Sequence, residues 1–183
     1  MKLTRTLLVA GLMLLGAHSP HAEQYLTQEQ FLQAAFGQQS ENGNAAVTSK
    51  TYWLNAADKI VAEQILSHAY AGLRVRYWQN DNQLNKSAWI LEEIGKERPI
   101  QIGIVIKDQQ IEQVSILAFN ESRGWEVKHP FFTEQFTQRQ LQNNQQLDKK
   151  IDGITGATLS VRAVTNTARW ALYLAQQIAP ITQ

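Results

Sequence analysis

The run Asp152-Gly-Ile-Thr-Gly-Ala-Thr-Leu-Ser160 sets two hydroxyls, Thr155 and Thr158, three residues apart among two glycines and an alanine. A segment with the three-four apolar spacing of a helix follows at once, so the run stands at a helix mouth. Orphan backbone N–H groups and the helix dipole favour a negative charge there, and a phosphate is a natural occupant. Gly153 and Gly156 remove side chains that would hold a phosphate away, and Ala157 keeps its neighbour small. Asp152 adds a like charge, which points instead to capping or to presenting the segment to a metal-dependent enzyme. The residues alone leave two readings open. The run seats or attaches an anion, or Asp152 or Thr155 is an ordinary N-cap and Gly156 permits a turn.

Few other titratable groups are arranged for chemistry. Glu92 and Glu93 are neighbours on an expected strand and point to opposite faces, so they form no acid–base pair. His68 is expected to end a helix, and His129 precedes Pro130 on a loop.

Several elements must position these residues. Thr27, with Gln30 three residues on, opens a short helix that carries Phe31, Leu32, Ala35 and Phe36 on one side. Gly37 to Ser49 reads as a loop, and a second helix runs from Ala56 to His68 with Ile60, Val61, Ile65 and Leu66 apolar. The middle reads as sheet. Arg74–Gln79 and Ser87–Ile94 are strands, and Ile100, Ile102, Ile104 and Ile106 recur at period two. Asp108-Gln-Gln110 then turns the chain into Ile111–Phe119, which makes an antiparallel hairpin, with Val114, Ile116 and Ala118 on one face and Leu117 and Phe119 on the other. Asn120–Pro130 is a loop, Thr133–Leu141 a Phe-rich helical segment, and Leu159 to Gln177 a long helix. The expected class is α+β, a small antiparallel sheet packed with helices, with a long C-terminal helix after the threonine run.

Lys2 and Arg5 precede an apolar run, Leu7–Leu15, and a small residue, Ala22, follows, in the pattern of a secretory signal peptide. The run is too short to span a bilayer comfortably. The expected organisation is therefore a leader over 1–22, a helical segment over 23–69 and the main domain over 70–183. With Lys2 and Arg5 removed, fifteen basic residues face sixteen acidic ones, a net charge of −1. No basic field remains to hold nucleic acid. Cysteine is absent, which excludes disulfides, thiolate metal sites and iron–sulfur ligation.

The threonine run resembles the flavinylation motif of the FMN-binding domain family, which includes the flavin-carrying C subunit of sodium-translocating NADH:quinone reductases and the G subunit of Rnf complexes. The family pattern is an Asp, two variable residues, Ser or Thr, then Gly-Ala-Thr; Asp152, Thr155, Gly156, Ala157 and Thr158 match it. Upstream, the family places a Glu-Thr-Pro-Gly loop after a hairpin. Glu121, Ser122 and Gly124 align with that loop, whereas Arg123 replaces its Pro and Trp125 follows. The resemblance spans roughly residues 70–178 and is greatest to small stand-alone periplasmic members.

That resemblance implies FMN as cofactor, joined by a phosphoester to Thr158 through an exported flavin transferase that uses FAD and a divalent metal. With flavin so tethered, the Glu121–Trp125 loop is the candidate second wall, where Ser122 and the backbone near Gly124 would bond the ring; Trp125 either stacks on the ring or packs in the core, and Arg123 either stabilises the reduced anion or is a solvated surface charge. Three functional classes follow: a periplasmic electron carrier served by a membrane or periplasmic redox partner, a flavin-dependent reductase of a small substrate, and a non-redox module in which Thr158 is only a helix cap. The sequence has no nicotinamide-binding Gly-rich loop and no evident proton donor beside the ring, and those absences favour the carrier.

Overall fold

A computed structural model describes residues 23–37 and 47–179. The expected leader over 1–22 lies outside the described residues, as does most of the expected Gly37–Ser49 loop. The elements are β1 (Glu23–Gln24), α1 (Gln28–Phe36), β2 (Val47–Trp53), α2 (Ala56–Leu66), β3 (Arg74–Asn80), β4 (Lys86–Ile94), β5 (Pro99–Lys107), β6 (Gln110–Phe119), α3 (Pro130–Thr133) and α4 (Thr158–Ile178). The six strands make one antiparallel sheet in the order β1-β6-β5-β4-β3-β2. The fold is α+β.

Local chemistry explains most boundaries. Thr27 caps α1 through a reciprocal pair with Gln30: its Oγ1 accepts from the Gln30 N–H, and its own N–H donates to Gln30 Oε1. Asn55 and Asp58 repeat the device at α2. That helix stops at Leu66, because Ser67 turns left-handed, so His68 lies beyond it. Asp108 and Gln109 both take positive φ, as a tight β5–β6 turn of type I′ requires.

The strands differ from expectation in two ways. Val47–Ser49, expected in a loop, begins β2, which pairs along its whole length with β3. Phe119, expected opposite Val114 and Ile116, joins them in the main core. Two register shifts between β5 and β6 each insert one residue and reverse the alternation. The expected helix over 133–141 is also shorter and earlier. It breaks into a 3₁₀ turn at Trp125–Lys128, α3, and a second 3₁₀ turn at Glu134–Phe136, with Leu141 beyond in an isolated bridge to Leu147.

Each sheet face has its own core. On one face Phe31 and Ala35 of α1 pack with Trp78, Ala88, Val105 and Leu117. A Cβ on Gly103 would lie 2.7 Å from the Phe31 ring, so the bare backbone there lets the ring lie on the sheet. On the other face α4 packs on β4 and β5, with α2 against it. Residues 166–175 of α4 are all buried, as a helix covered on opposite sides must be. In α2 the inward positions are Asp58, Ala62, Ile65 and Leu66, whereas Ile60, expected inward, is 60% exposed.

β4, β5 and β6 form a meander, so the end of β4, the start of β5 and the end of β6 lie at one end of the sheet. The Glu121–Trp125 loop leaves the sheet at that end.

Candidate functional site

The segment that leads into α4 alternates with a period of three. Ile151 and Ala157 are buried and Ile154 is partly buried against the core, while Asp152, Gly153, Thr155, Gly156 and Thr158 face solvent. Apolar anchors thus hold the backbone down and present the polar and glycine positions outward. The Asp152 N–H donates to Gln135 Oε1 at 2.7 Å, which ties the segment to the turn after α3. Gly156 has a φ of 84°, a left-handed conformation suited to glycine.

The capping question has a definite outcome. The N-cap of α4 is Ala157, with no side-chain cap hydrogen bond, so neither Asp152 nor Thr155 caps the helix. Thr158 is not a cap either; it is the first residue of the helix, and exposed. The first turn carries no acidic side chain. A helix of 21 residues therefore ends in an uncapped, positively polarised mouth beside an exposed hydroxyl. Those features fit a phosphate ester.

Gly124 brings the second motif to this mouth. Its φ is 87°, and a Cβ there would lie 2.3 Å from Ser160 Oγ and 3.6 Å from the Ala157 Cβ. The Glu121–Trp125 loop thus rests on the first turn of α4. Ala157 and Ser160 are buried where it crosses, which gives Ala157 a further reason to be small. Ser122 and Trp125 line a cavity of about 410 Å³, within the range of cofactor-sized sites. Trp125 is 45% exposed, so it is no core residue; its ring lies edge-on to His129 at 5.3 Å. His129 in turn stacks on the exposed Phe131 at 6.0 Å, and Lys128 Nζ sits 5.3 Å from the Trp125 ring. Arg123 is exposed.

Glu121 has a structural task. Its Oε1 accepts the N–H groups of Lys96, Glu97 and Arg98 at 2.5, 2.6 and 2.9 Å, which organises the β4–β5 turn. Burial alone would raise this carboxyl, but the three N–H bonds and the Lys96 charge outweigh it and hold it below the ordinary value. Gly95 passes under the same carboxylate, 2.9 Å from Oε1 to where a Cβ would stand. Asn120 adds a bond from Nδ2 to the Pro99 carbonyl.

Glu92 is exposed and Glu93 buried, on opposite faces as expected. His68 is engaged with Glu93, its Nε2 3.0 Å from both carboxylate oxygens. Sequence reasoning missed Glu97, Arg98 and Phe119, which line the cavity with Ser122 and Trp125. The signal was the meander itself: three consecutive antiparallel strands place the β4–β5 turn beside the exit of β6.

The family model of the FMN-binding domain matches residues 95–173, from the Gly95 turn under Glu121 to Tyr173 in α4. Residues 95–173 are an FMN-binding domain. FMN is the cofactor this domain takes. A search of curated proteins gave no match to the chain. The FMN-binding domain holds β5, β6, α3 and most of α4, together with the Glu121–Trp125 loop and the threonine run. Bound flavin supplies redox chemistry, while the residues around it set position, polarity and access.

Proposed function

We propose that this chain is an exported electron-transfer flavoprotein whose FMN is joined by a phosphoester to Thr158. The observation that carries the proposal is the exposed Thr158 hydroxyl at the first position of an uncapped 21-residue helix, inside the Asp152–Thr158 run. Attachment uses FAD as donor and a flavin transferase with a divalent metal. The Thr158 Oγ–phosphorus bond forms, the pyrophosphate linkage breaks, AMP leaves, and the hydroxyl proton passes to a base of the transferase. The uncapped N–H groups then favour the retained phosphate charge. Ser122 and Trp125 supply a hydrogen-bonding and an aromatic surface on the adjoining loop. Export, read from the pattern over residues 1–22, brings Thr158 to the transferase and the flavin to a membrane or periplasmic redox partner.

The carrier reading is favoured by the partly open aromatic surface of Trp125 and Phe131 beside the domain's cavity, which suits docking of another protein. Intact mass of the exported protein, produced with and without transferase beside Thr158→Ala, tests the attachment. The expected result is an FMN-sized increment that needs both the transferase and Thr158. An unmodified mass in the presence of active transferase would sink it. Reoxidation of the reduced protein by a small substrate alone would replace the carrier by a reductase.

A further inference from the structure

Arg169 lies about three turns into α4 and is only 8% exposed. Its Nε donates to the Gln145 carbonyl at 2.5 Å, and its Nη1 donates to Asn166 Oδ1 at 3.1 Å and the Ile65 carbonyl at 3.5 Å. All three acceptors are neutral. Among the described residues no carboxylate comes within ion-pair distance of this guanidinium. Buried cations are ordinarily matched by an anion, because desolvation of an unpartnered charge is strongly unfavourable.

The surroundings do not supply one. Arg169 lines a cavity of about 270 Å³ together with Lys149, Lys150 and Thr165, and no acidic residue contributes to the lining. Thr165 has a buried Oγ1 with no hydrogen-bond partner. Asp148, next to Lys149 in sequence, is engaged elsewhere: it accepts from the Gln140 N–H at 3.0 Å and from Arg139 Nη1 at 3.4 Å. Three basic residues and a threonine with an unpartnered hydroxyl therefore border one small cavity.

We propose that this cavity is a binding site for a small oxyanion of phosphate type, separate from the flavin phosphate. Its volume is below that of sites for drug-sized ligands, which suits a free phosphate or sulfate. The anion balances Arg169, accepts a bond from Thr165 and clamps residues 146–151 onto α4 just before the threonine run begins.

Titration calorimetry of the full chain with inorganic phosphate, at low ionic strength, tests the site. The wild type is expected to bind phosphate saturably, with sulfate competing and chloride at equal ionic strength not competing. Lys149 and Lys150 are exposed, so Lys149→Gln/Lys150→Gln retains the fold and is expected to weaken binding about tenfold or more. Thr165→Val is expected to weaken it by a smaller factor. Absence of saturable binding to the wild type would overturn the site. Equal affinity in the double variant would also overturn it, because phosphate would then be held at the mouth of α4 or elsewhere.

Discussion

At the scale of single residues, the loop crosses the helix mouth where Gly124 passes Ser160 and Ala157. Gly124→Ala introduces a Cβ at positive φ and drives it into Ser160 Oγ, so it is expected to cost about 2–4 kcal/mol in urea unfolding. Because the hydroxyl is the nearest atom, Ser160→Ala in the same chain is expected to recover part of that loss. Glu121 makes a second prediction. Glu121→Ala removes three charge-assisted bonds and is expected to destabilise by about 2 kcal/mol or more near neutral pH. Its folded carboxyl lies below the ordinary 4.5. The contribution is therefore present above that value and lost as pH falls through the lower folded value, so wild type and variant should converge in acid unfolding. The threonine run was legible because its small residues and hydroxyls are contiguous. The tasks of Glu121 and Gly124 were not, since each is defined by a partner distant in the chain: a turn at 96–98 and a serine on α4.

The elements show the same division. The β5–β6 hairpin and α4 could be read because each carries its own periodicity and, in the hairpin, its own turn. β2 is a polar edge strand whose burial alternates weakly, and its pairing with β3 is what makes it a strand. The register shifts in β6 leave no mark in residue type, so the face of Phe119 could not be foreseen. Gly103, where β5 passes under α1, offers a test of how tightly that layer is packed. Gly103→Ala is expected to cost about 1–3 kcal/mol through displacement of the Phe31 ring. Phe31→Leu in that background should cost less than Phe31→Leu alone, measured as a coupling energy in a double-mutant cycle.

Across the whole molecule, buried polar contacts join the early chain to the late chain. Asp58 of α2 is 1% exposed and accepts from Tyr52 of β2 at 3.0 Å, the Asn55 N–H at 2.8 Å and Tyr173 of α4 at 2.9 Å. Tyr173→Phe leaves this carboxylate with one donor fewer and is expected to lower stability by about 1.5–3 kcal/mol. His68 and Glu93 form a second tie, between the chain after α2 and β4. The Glu93 hydrogen bond, helped by the Ala69 carbonyl, raises the His68 pKa above 6.5. That stabilisation is complete below 6.5 and disappears as pH rises through the raised value. NMR titration of His68 should show a midpoint above 6.5 that drops in Glu93→Gln.

Tyr173 and the β4–β5 pairing also bear on protein engineering. The segment from Gly95 to Tyr173 invites use as a transplantable flavin tag. Cut at those limits, however, the nine residues of β5 would lose the partner on one side, and α4 would lose α2 and its own last turn. An unpaired apolar strand edge is a template for aggregation. The smallest cassette worth grafting onto another protein therefore begins no later than α2 and ends no earlier than Ile178.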